Sequence, residues 1–329
     1  MSSTPDPDRI FSIASRNEFE SLALDIFRHQ FSQNAVYRSF CQALNKNPEN
    51  VYGLNQIPFL PVSAFQNNRV VSFEGREKIV FSSSGTTGSI PSKHFVLEPS
   101  LYERSFIEGF QRFYGEVAEY CIMALLPGYL ERSDSSLVYM VDNLIRRSGH
   151  PESGFFLNNP NKLADKLEKL HGAGEKILLI GVSFALLDLA EKHPVKIPKA
   201  IIMETGGMKG RREEILREQL HEIITKAFEA KSIHSEYGMT ELLSQAYSKG
   251  HGLFDCPPWM KVVIRDINDP QTFVSSERTG GINVIDLANL HSCSFIATQD
   301  LGRALPNGQF EVLGRFDHSD VRGCNLMVS

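Results

Sequence analysis

The chain has 329 residues, 42% of them hydrophobic and 22% charged, with a net charge of −5, which is the composition of a folded globular protein. It has no basic excess or long basic run to recruit nucleic acid, and its most apolar stretch, 177–190, falls short of the roughly 20 residues of a membrane span and contains Asp188. Five cysteines without paired spacing argue against a zinc site or a disulfide framework and fit a reducing cytoplasm.

The first eight residues are polar and lack the charged-then-apolar pattern of a secretory signal, so a frayed tail is expected there. Over 17–45, Phe19, Leu22, Ile26, Val36, Phe40 and Leu44 recur at three- and four-residue steps, which predicts helices covering a core. Prolines at 58 and 61 then impose extended chain. Lys78-Ile79-Val80-Phe81 reads as a strand and 98–114 as a helix, so the segment between them is expected to be a strand-to-helix loop. Alternation continues: strands at 121–126, 176–180, 200–203 and 232–236, helices at 135–147, 162–170, 184–191 and 211–227. Ile215, Leu216, Leu220, Ile223, Ile224 and Phe228 are expected along one side of the last helix. Continuous apolar strands between helices predict an α/β fold with a mostly parallel sheet covered on its faces. From about residue 250 the pattern changes to short strands separated by Gly, Asn, Asp and Pro turns. The expected organisation is therefore an α/β core over 1–250 and a β-rich subdomain over 251–329.

The loop Ser82-Ser83-Ser84-Gly85-Thr86-Thr87-Gly88-Ser89-Ile90-Pro91-Ser92-Lys93 is rich in hydroxyls and glycine. Backbone N–H groups that approach closely, flexible hydroxyl donors and one lysine suit a phosphate, although many such loops are plain surface connections. It is not a Walker P-loop, because Lys93 lies five residues beyond Gly88 instead of directly after it. Ser83 to Gly88 resembles instead the Ser-Ser-Gly-Thr-Thr-Gly signature of adenylate-forming enzymes, the superfamily of acyl-CoA ligases, firefly-type luciferases and peptide-synthetase adenylation domains. Three further segments are similar to its signatures, in its order. Tyr237-Gly238-Met239-Thr240-Glu241 resembles Tyr-Gly-x-Thr-Glu, Thr298-Gln299-Asp300-Leu301-Gly302 resembles Thr-x-Asp-Leu-Gly, and Gly314-Arg315-Phe316-Asp317 resembles Gly-Arg-x-Asp.

The resemblance implies roles for these residues. Ser83, Ser84, Gly85, Thr86, Thr87, Gly88 and Lys93 would hold the phosphates of ATP. Tyr237 would stack adenine with Gly206, Gly207 and Gly238 leaving room beside it, Thr240 would meet the α-phosphate, and Glu241 would bind Mg2+. Asp300 would grip the ribose hydroxyls, and Arg315 would belong to the nucleotide site. Only twelve residues follow Asp317, which implies that the superfamily's mobile C-terminal domain, with its adenylation lysine, is absent.

That departure narrows the resemblance, together with Leu126-Pro127-Gly128-Tyr129-Leu130-Glu131-Arg132, Ser135-Ser136-Leu137-Val138-Tyr139-Met140-Val141, Gly181-Val182-Ser183-Phe184-Ala185 and Asp320-Val321-Arg322-Gly323-Cys324-Asn325. These look like the LuxE-type acyl-protein synthetases. The family implies adenylation of a long-chain fatty acid and transfer of the acyl group to Cys324 as a thioester, for delivery to a reductase subunit. A thiolate is a good nucleophile toward an acyl-adenylate, and Arg322 is placed to favour it. Val182 and Phe184, at a strand end, are the expected lining of the acyl pocket. Two other readings remain open: an acyl-CoA or acyl-carrier ligase in which Cys324 is structural, and a nucleotide- or acyl-binding scaffold without turnover.

Overall fold

A computed structural model describes residues 4–83, 90–128, 131–206 and 215–316. By their contacts they form two compact units, one from 1–74 with 258–329 and the other from 75–257.

The first unit begins with helices α1 (Asp8–Phe11), α2 (Arg16–Gln33) and α3 (Ala35–Ala43). A capping box starts α2: Ser15 Oγ accepts the Glu18 N–H at 3.3 Å, and Glu18 Oε2 accepts the Ser15 N–H at 3.0 Å. Phe19, Leu22, Ala23, Ile26 and Phe27 form its buried stripe. Asn34 ends α2 and starts α3, with its side-chain oxygen accepting the Tyr37 N–H at 3.0 Å. Strand β1 (Leu60–Pro61) and the short helix α4 (Ala64–Asn67) complete this segment.

The second unit opens with β2 (Ile79–Ser82), paired antiparallel to β3 (Lys93–Val96) so that Phe81 lies opposite His94 and Ser82 opposite Lys93. This corrects the expected strand-to-helix connection: a strand stands between the hydroxyl-rich loop and α5 (Pro99–Tyr114). The physical reason is that β3 is too short for its alternation, Lys93 exposed and His94 and Val96 buried, to register as periodicity. Pro99 then sits at the start of α5, where its missing N–H costs nothing.

There follow β4 (Cys121–Leu125), α6 (Ser136–Ser148), β5 (Gly154–Phe155), α7 (Pro160–Gly172), β6 (Ile177–Gly181), α8 (Ser183–Lys192), β7 (Ile201–Glu204), α9 (Arg217–Phe228), β8 (Ile233–Tyr237), β9 (Ala246–Ser248) and β10 (Leu253–Asp255). Their sheet runs β5-β4-β6-β7-β8-β9-β10, parallel from β5 through β8 and antiparallel thereafter. Every residue of β4 and β6 is buried, as strands covered on both faces require. Gly181 ends β6 because a Cβ there would lie 2.7 Å from that of Leu125. The last helix differs from expectation. Its described part starts at Arg217, and Leu220, Ile224 and Phe228 face inward while Ile215, Leu216 and Ile223 are exposed. A four-residue step selects the buried stripe within the helix; Ile223 lies off it, and Leu216, the extended N-cap residue, and Ile215 precede the helix.

The chain returns to the first unit as an antiparallel meander of β11 (Met260–Arg265), β12 (Gly280–Asp286), β13 (Phe295–Ala304) and β14 (Phe310–Arg315). Strand β1 pairs parallel to β13, Leu60 against Ile296. Residues 4–74 thus group with these strands and not with the segment up to 250, because buried side chains of α2 and of the α2–α3 junction bond the turn before β13. Gln30 Nε2 reaches the carbonyls of Asn289 and Leu290 at 3.1 and 3.0 Å, and Asn34 Nδ2 reaches that of Ser292 at 3.1 Å.

Candidate active site

Strands β7 and β8 of the second unit end side by side, and in open parallel sheets ligands bind beyond such carboxyl ends. Thr205 and Gly206 follow β7, and Gly238-Met239-Thr240-Glu241 follow β8. The β2–β3 pair meets the second of these segments, since His94 Nδ1 lies 2.8 Å from the Thr240 carbonyl oxygen. At the root of the hydroxyl-rich loop, the Ser83 N–H donates to the Ser92 carbonyl at 3.0 Å and the Ser92 N–H donates to Ser83 Oγ at 2.9 Å. These two bonds pin the loop across its mouth.

A cleft of about 740 Å3, counted to its open mouth, lies beside these segments. Its polar lining includes Ser82, Arg132, Thr205, Glu236, Thr240 and Gln245. Leu126, Leu137, Val138, Met140 and Met239 supply an apolar wall.

Two buried carboxylates control its electrostatics. Glu204, the last residue of β7, accepts the Gly206 N–H at 2.6 Å and the Ser183 hydroxyl at 3.1 Å, and Arg217 Nε and His221 Nε2 each lie 3.8 Å from its other oxygen. Burial alone raises its pKa, but hydrogen bonding and the Arg217 charge outweigh that and hold the carboxyl below its ordinary value. Gly206 takes φ +76°, a left-handed conformation natural to glycine, in presenting that N–H. Glu236 is the opposite case. Burial and the nearby Glu204 charge push it up to about 8, and no hydrogen bond contributes. Gly238 packs closely against this group: a Cβ there would lie 2.4 Å from Glu236 Oε1, which would have to shift. The Thr205 hydroxyl is also buried without a partner. Unmatched polar atoms beside a cleft fit a ligand that brings its own donors and acceptors.

The residues expected from the sequence are distributed as follows. Tyr237 is buried to 9% exposure, edge-on to Phe254 at 6.0 Å between ring centroids. Thr240 is half-buried on the cleft, and Glu241 is buried. Lys93 is exposed at the start of β3. Ser84, Gly85, Thr86, Thr87, Gly88, Gly207 and Cys324 lie outside the described residues. Val182 and Phe184 are buried at the start of α8, and neither is on the cleft lining. In the first unit, Asp300 and Arg315 face each other across β13 and β14, with Arg315 Nε 3.4 Å from Asp300 Oδ1.

Sequence reasoning missed Glu204, Glu236 and His94 as site residues. For Glu204 the signal was a carboxylate at the end of an otherwise apolar strand, whereas Glu236 and His94 sit in strands that hold other polar residues. Among the described residues no group of three or more His, Cys, Asp or Glu could hold a metal ion, and no helix is long and apolar enough to cross a membrane. Cys41, Cys121 and Cys293 are buried, and burial raises all three thiols, Cys41 to about 12.

Comparison with known proteins adds to this geometry. Residues 11–128 match the family model described as acyl-protein synthetase, LuxE. Over 70 residues the chain is 39% identical to a long-chain-fatty-acid--luciferin-component ligase of Photorhabdus luminescens, a match covering 21% of this chain and 60% of that protein. The match thus spans less than two thirds of the curated relative. Among solved structures, ATP-bound MatB from Rhodopseudomonas palustris is similar with a TM-score of 0.54 and 17% identity, over 74% of this chain and 49% of that one. A 2-hydroxyisobutyryl-CoA ligase, in the postadenylation state with R3-HIB-AMP, gives a TM-score of 0.66 at 12% identity, covering 94% of this chain and 70% of the other. At such identities the likeness is one of fold. The resemblance drawn from the motifs is borne out to this extent: the N-terminal third of the chain is LuxE-like, and the fold is similar to that of these ligases.

Proposed function

We propose that this chain, LuxE-like over residues 11–128 and adenylate-forming in fold, activates a long-chain fatty acid with ATP and carries the acyl group on Cys324. The observation that carries the reading is the cleft at the ends of β7 and β8, lined by Glu236 and by Thr205, whose buried hydroxyl lacks a protein partner, beside the Tyr237-Gly238-Met239-Thr240-Glu241 segment.

In this reading residues 83–88 and Lys93 hold the β- and γ-phosphates of ATP. Thr240, whose backbone is fixed by His94, presents its hydroxyl to the α-phosphate. Tyr237 offers a ring face to adenine, with Gly206, Gly207 and Gly238 leaving room. Roles for Asp300 at the ribose and Arg315 at the nucleotide are carried over from the resemblance alone. Glu241 is a single carboxylate, which suits Mg2+, an ion commonly held by one or two carboxylates together with substrate phosphates; when bound it offsets phosphate charge. The apolar wall of Leu126, Leu137, Val138, Met140 and Met239 receives the acyl chain, a role first expected of Val182 and Phe184.

Two balanced steps follow. A fatty carboxylate oxygen attacks the α-phosphorus, the bond to pyrophosphate breaks, and acyl-AMP forms. The Cys324 thiolate then attacks the acyl carbonyl, a thioester forms, and AMP leaves with the bonding pair. Burial of Cys41, Cys121 and Cys293 makes those thiols poor nucleophiles, which leaves the half-buried Cys256 and Cys324, and the family resemblance favours Cys324. The acyl group is then available to a protein acceptor, a reductase subunit in the LuxE resemblance.

The test is intact-protein mass after incubation with MgATP and a long-chain fatty acid, on wild type and Cys324→Ser, before and after hydroxylamine. An acyl-sized gain that hydroxylamine removes and the variant lacks is the expected result. No gain in wild type across several chain lengths overturns the acyl-enzyme, and pyrophosphate exchange then separates a free-thiol acceptor from a scaffold without turnover.

A further inference from the structure

Glu236 has no part in the mechanism above, yet it is the most unusual group on the cleft. Its side chain is 9% exposed and borders the cleft, with Oε1 folded against Gly238. No hydrogen bond acts on it. The groups around it come from several elements. Glu204 on β7 is the charge that acts on it. Tyr247 on β9 stands directly opposite in register, with its hydroxyl buried and unpartnered. Tyr114 and Tyr102 on α5 lie within electrostatic reach of the Glu236–Tyr247 pair, and His234 precedes Glu236 on β8, bonded through Nδ1 to the Tyr114 hydroxyl at 3.2 Å. His94 on β3 stands behind Thr240. Arg132, paired with Asp134 at 3.1 Å, is the cation on the described lining.

None of these neighbours bonds the carboxyl. Arg217 and His221 lie against Glu204, so that carboxylate stays ionised and its charge disfavours ionisation of Glu236. The outcome is a carboxylic acid that keeps its proton while the fold supplies no acceptor for it. A missing acceptor beside a cleft belongs to a ligand. Two carboxyl groups that share one proton make a strong hydrogen bond, whereas two carboxylates repel. The aliphatic wall beside it and the Arg132 guanidinium favour a ligand with an apolar chain and an anionic head.

We propose that Glu236 is a specificity-determining residue that donates its proton in a hydrogen bond to the carboxylate of the fatty acid before activation, and repels that substrate once ionised. The inference rests on the fatty-acid reading above and names the group that recognises the acid.

The experiment uses octanoate, which stays dissolved, on the full chain from about pH 6.5 to 9.5. Octanoate binding is measured by equilibrium dialysis without nucleotide, and KM for octanoate and for ATP by pyrophosphate exchange. In wild type the octanoate Kd and KM hold level to about pH 8 and then rise about tenfold per pH unit, while the ATP KM stays level. Glu236→Gln keeps a donor and loses the titration, so its octanoate values stay level throughout. Glu236→Asp keeps the titration at shorter reach, and Glu236→Leu weakens octanoate at every pH. Thermal melts check that each variant is folded.

Identical pH profiles in wild type and Glu236→Gln overturn the proposal, and so does a pH dependence carried by the ATP KM. Exchange that proceeds without a Glu236 effect leaves adenylation standing and removes this inference. Octanoate binding with the expected pH dependence but no exchange does the reverse. Failure to bind or to exchange with octanoate and with longer-chain acids alike removes both.

Discussion

Gln30 and Arg265, two buried polar side chains of the first unit, meet partners supplied by the fold. Gln30, with no exposed surface, donates to two carbonyls and to Ser294 Oγ at 3.1 Å, and accepts the Ser294 N–H at 2.9 Å. Arg265 donates to the carbonyls of Ile282 and Thr298 at 2.7 and 2.6 Å and to Asn283 Oδ1 at 2.8 Å. In the second unit, the buried Thr205 hydroxyl has no partner, burial and the Glu204 charge are what act on Glu236, and both residues border a cleft. The first unit also has unmatched atoms, the Asn283 amide nitrogen and both ring nitrogens of His29 among them, and burial together with His291 lowers the His29 pKa, which favours the neutral ring. The contrast teaches that a saturated polar cluster holds segments together, while an unsaturated one beside a cleft leaves bonds for a ligand.

The largest break in this comparison comes from Gln30→Ala, which strands buried carbonyls and the Ser294 N–H. It should cost about 2–4 kcal/mol, read as a lower urea midpoint with an unchanged slope. A merely local role for Gln30 would leave the midpoint in place.

Glu236→Gln should act in the opposite direction, and only at higher pH. The folded-state value near 8 lies above the ordinary value of 4.5, so between these the folded chain holds a proton that the unfolded chain has released. Wild-type stability therefore falls as pH rises from about 4.5 to 8 and levels off above. The amide cannot titrate. Its variant should match wild type near pH 5 and exceed it near pH 8 by on the order of 2 kcal/mol, measured as a rise in Tm. Parallel Tm curves for the two proteins would mean that Glu236 is ionised in the fold.

The smallest effect belongs to the surface. Arg16 and Glu20 pair at 2.8 Å one turn apart on α2, in full contact with water. Arg16→Ala should leave the denaturation midpoint unchanged within error at physiological salt, because exposed pairs are screened. A clear drop would show that α2 docks with the help of this ion pair.

Much of this architecture was legible in the chain. The unbroken apolar runs of β4 and β6 can only be covered strands, and the order of four short signatures pointed to the adenylate-forming fold. Two features were hidden for physical reasons. Strand β3 is four residues long, and only its pairing with β2 distinguishes it from loop. The face of α9 was hard to read because Ile215, Leu216 and Ile223 are as apolar as the residues that pack, and the sheet alone selects Leu220, Ile224 and Phe228.

Residue types and their order thus determined which side chains were available for nucleotide and acyl chemistry. Tertiary structure decided the state of those side chains. Glu204 and Glu236 are the same amino acid at the ends of neighbouring strands, yet one is ringed by donors and ionised, and the other is left bare and keeps its proton. That difference lies in the neighbours supplied by α8, α9 and β9, which sequence distance conceals and folding brings within a few ångströms.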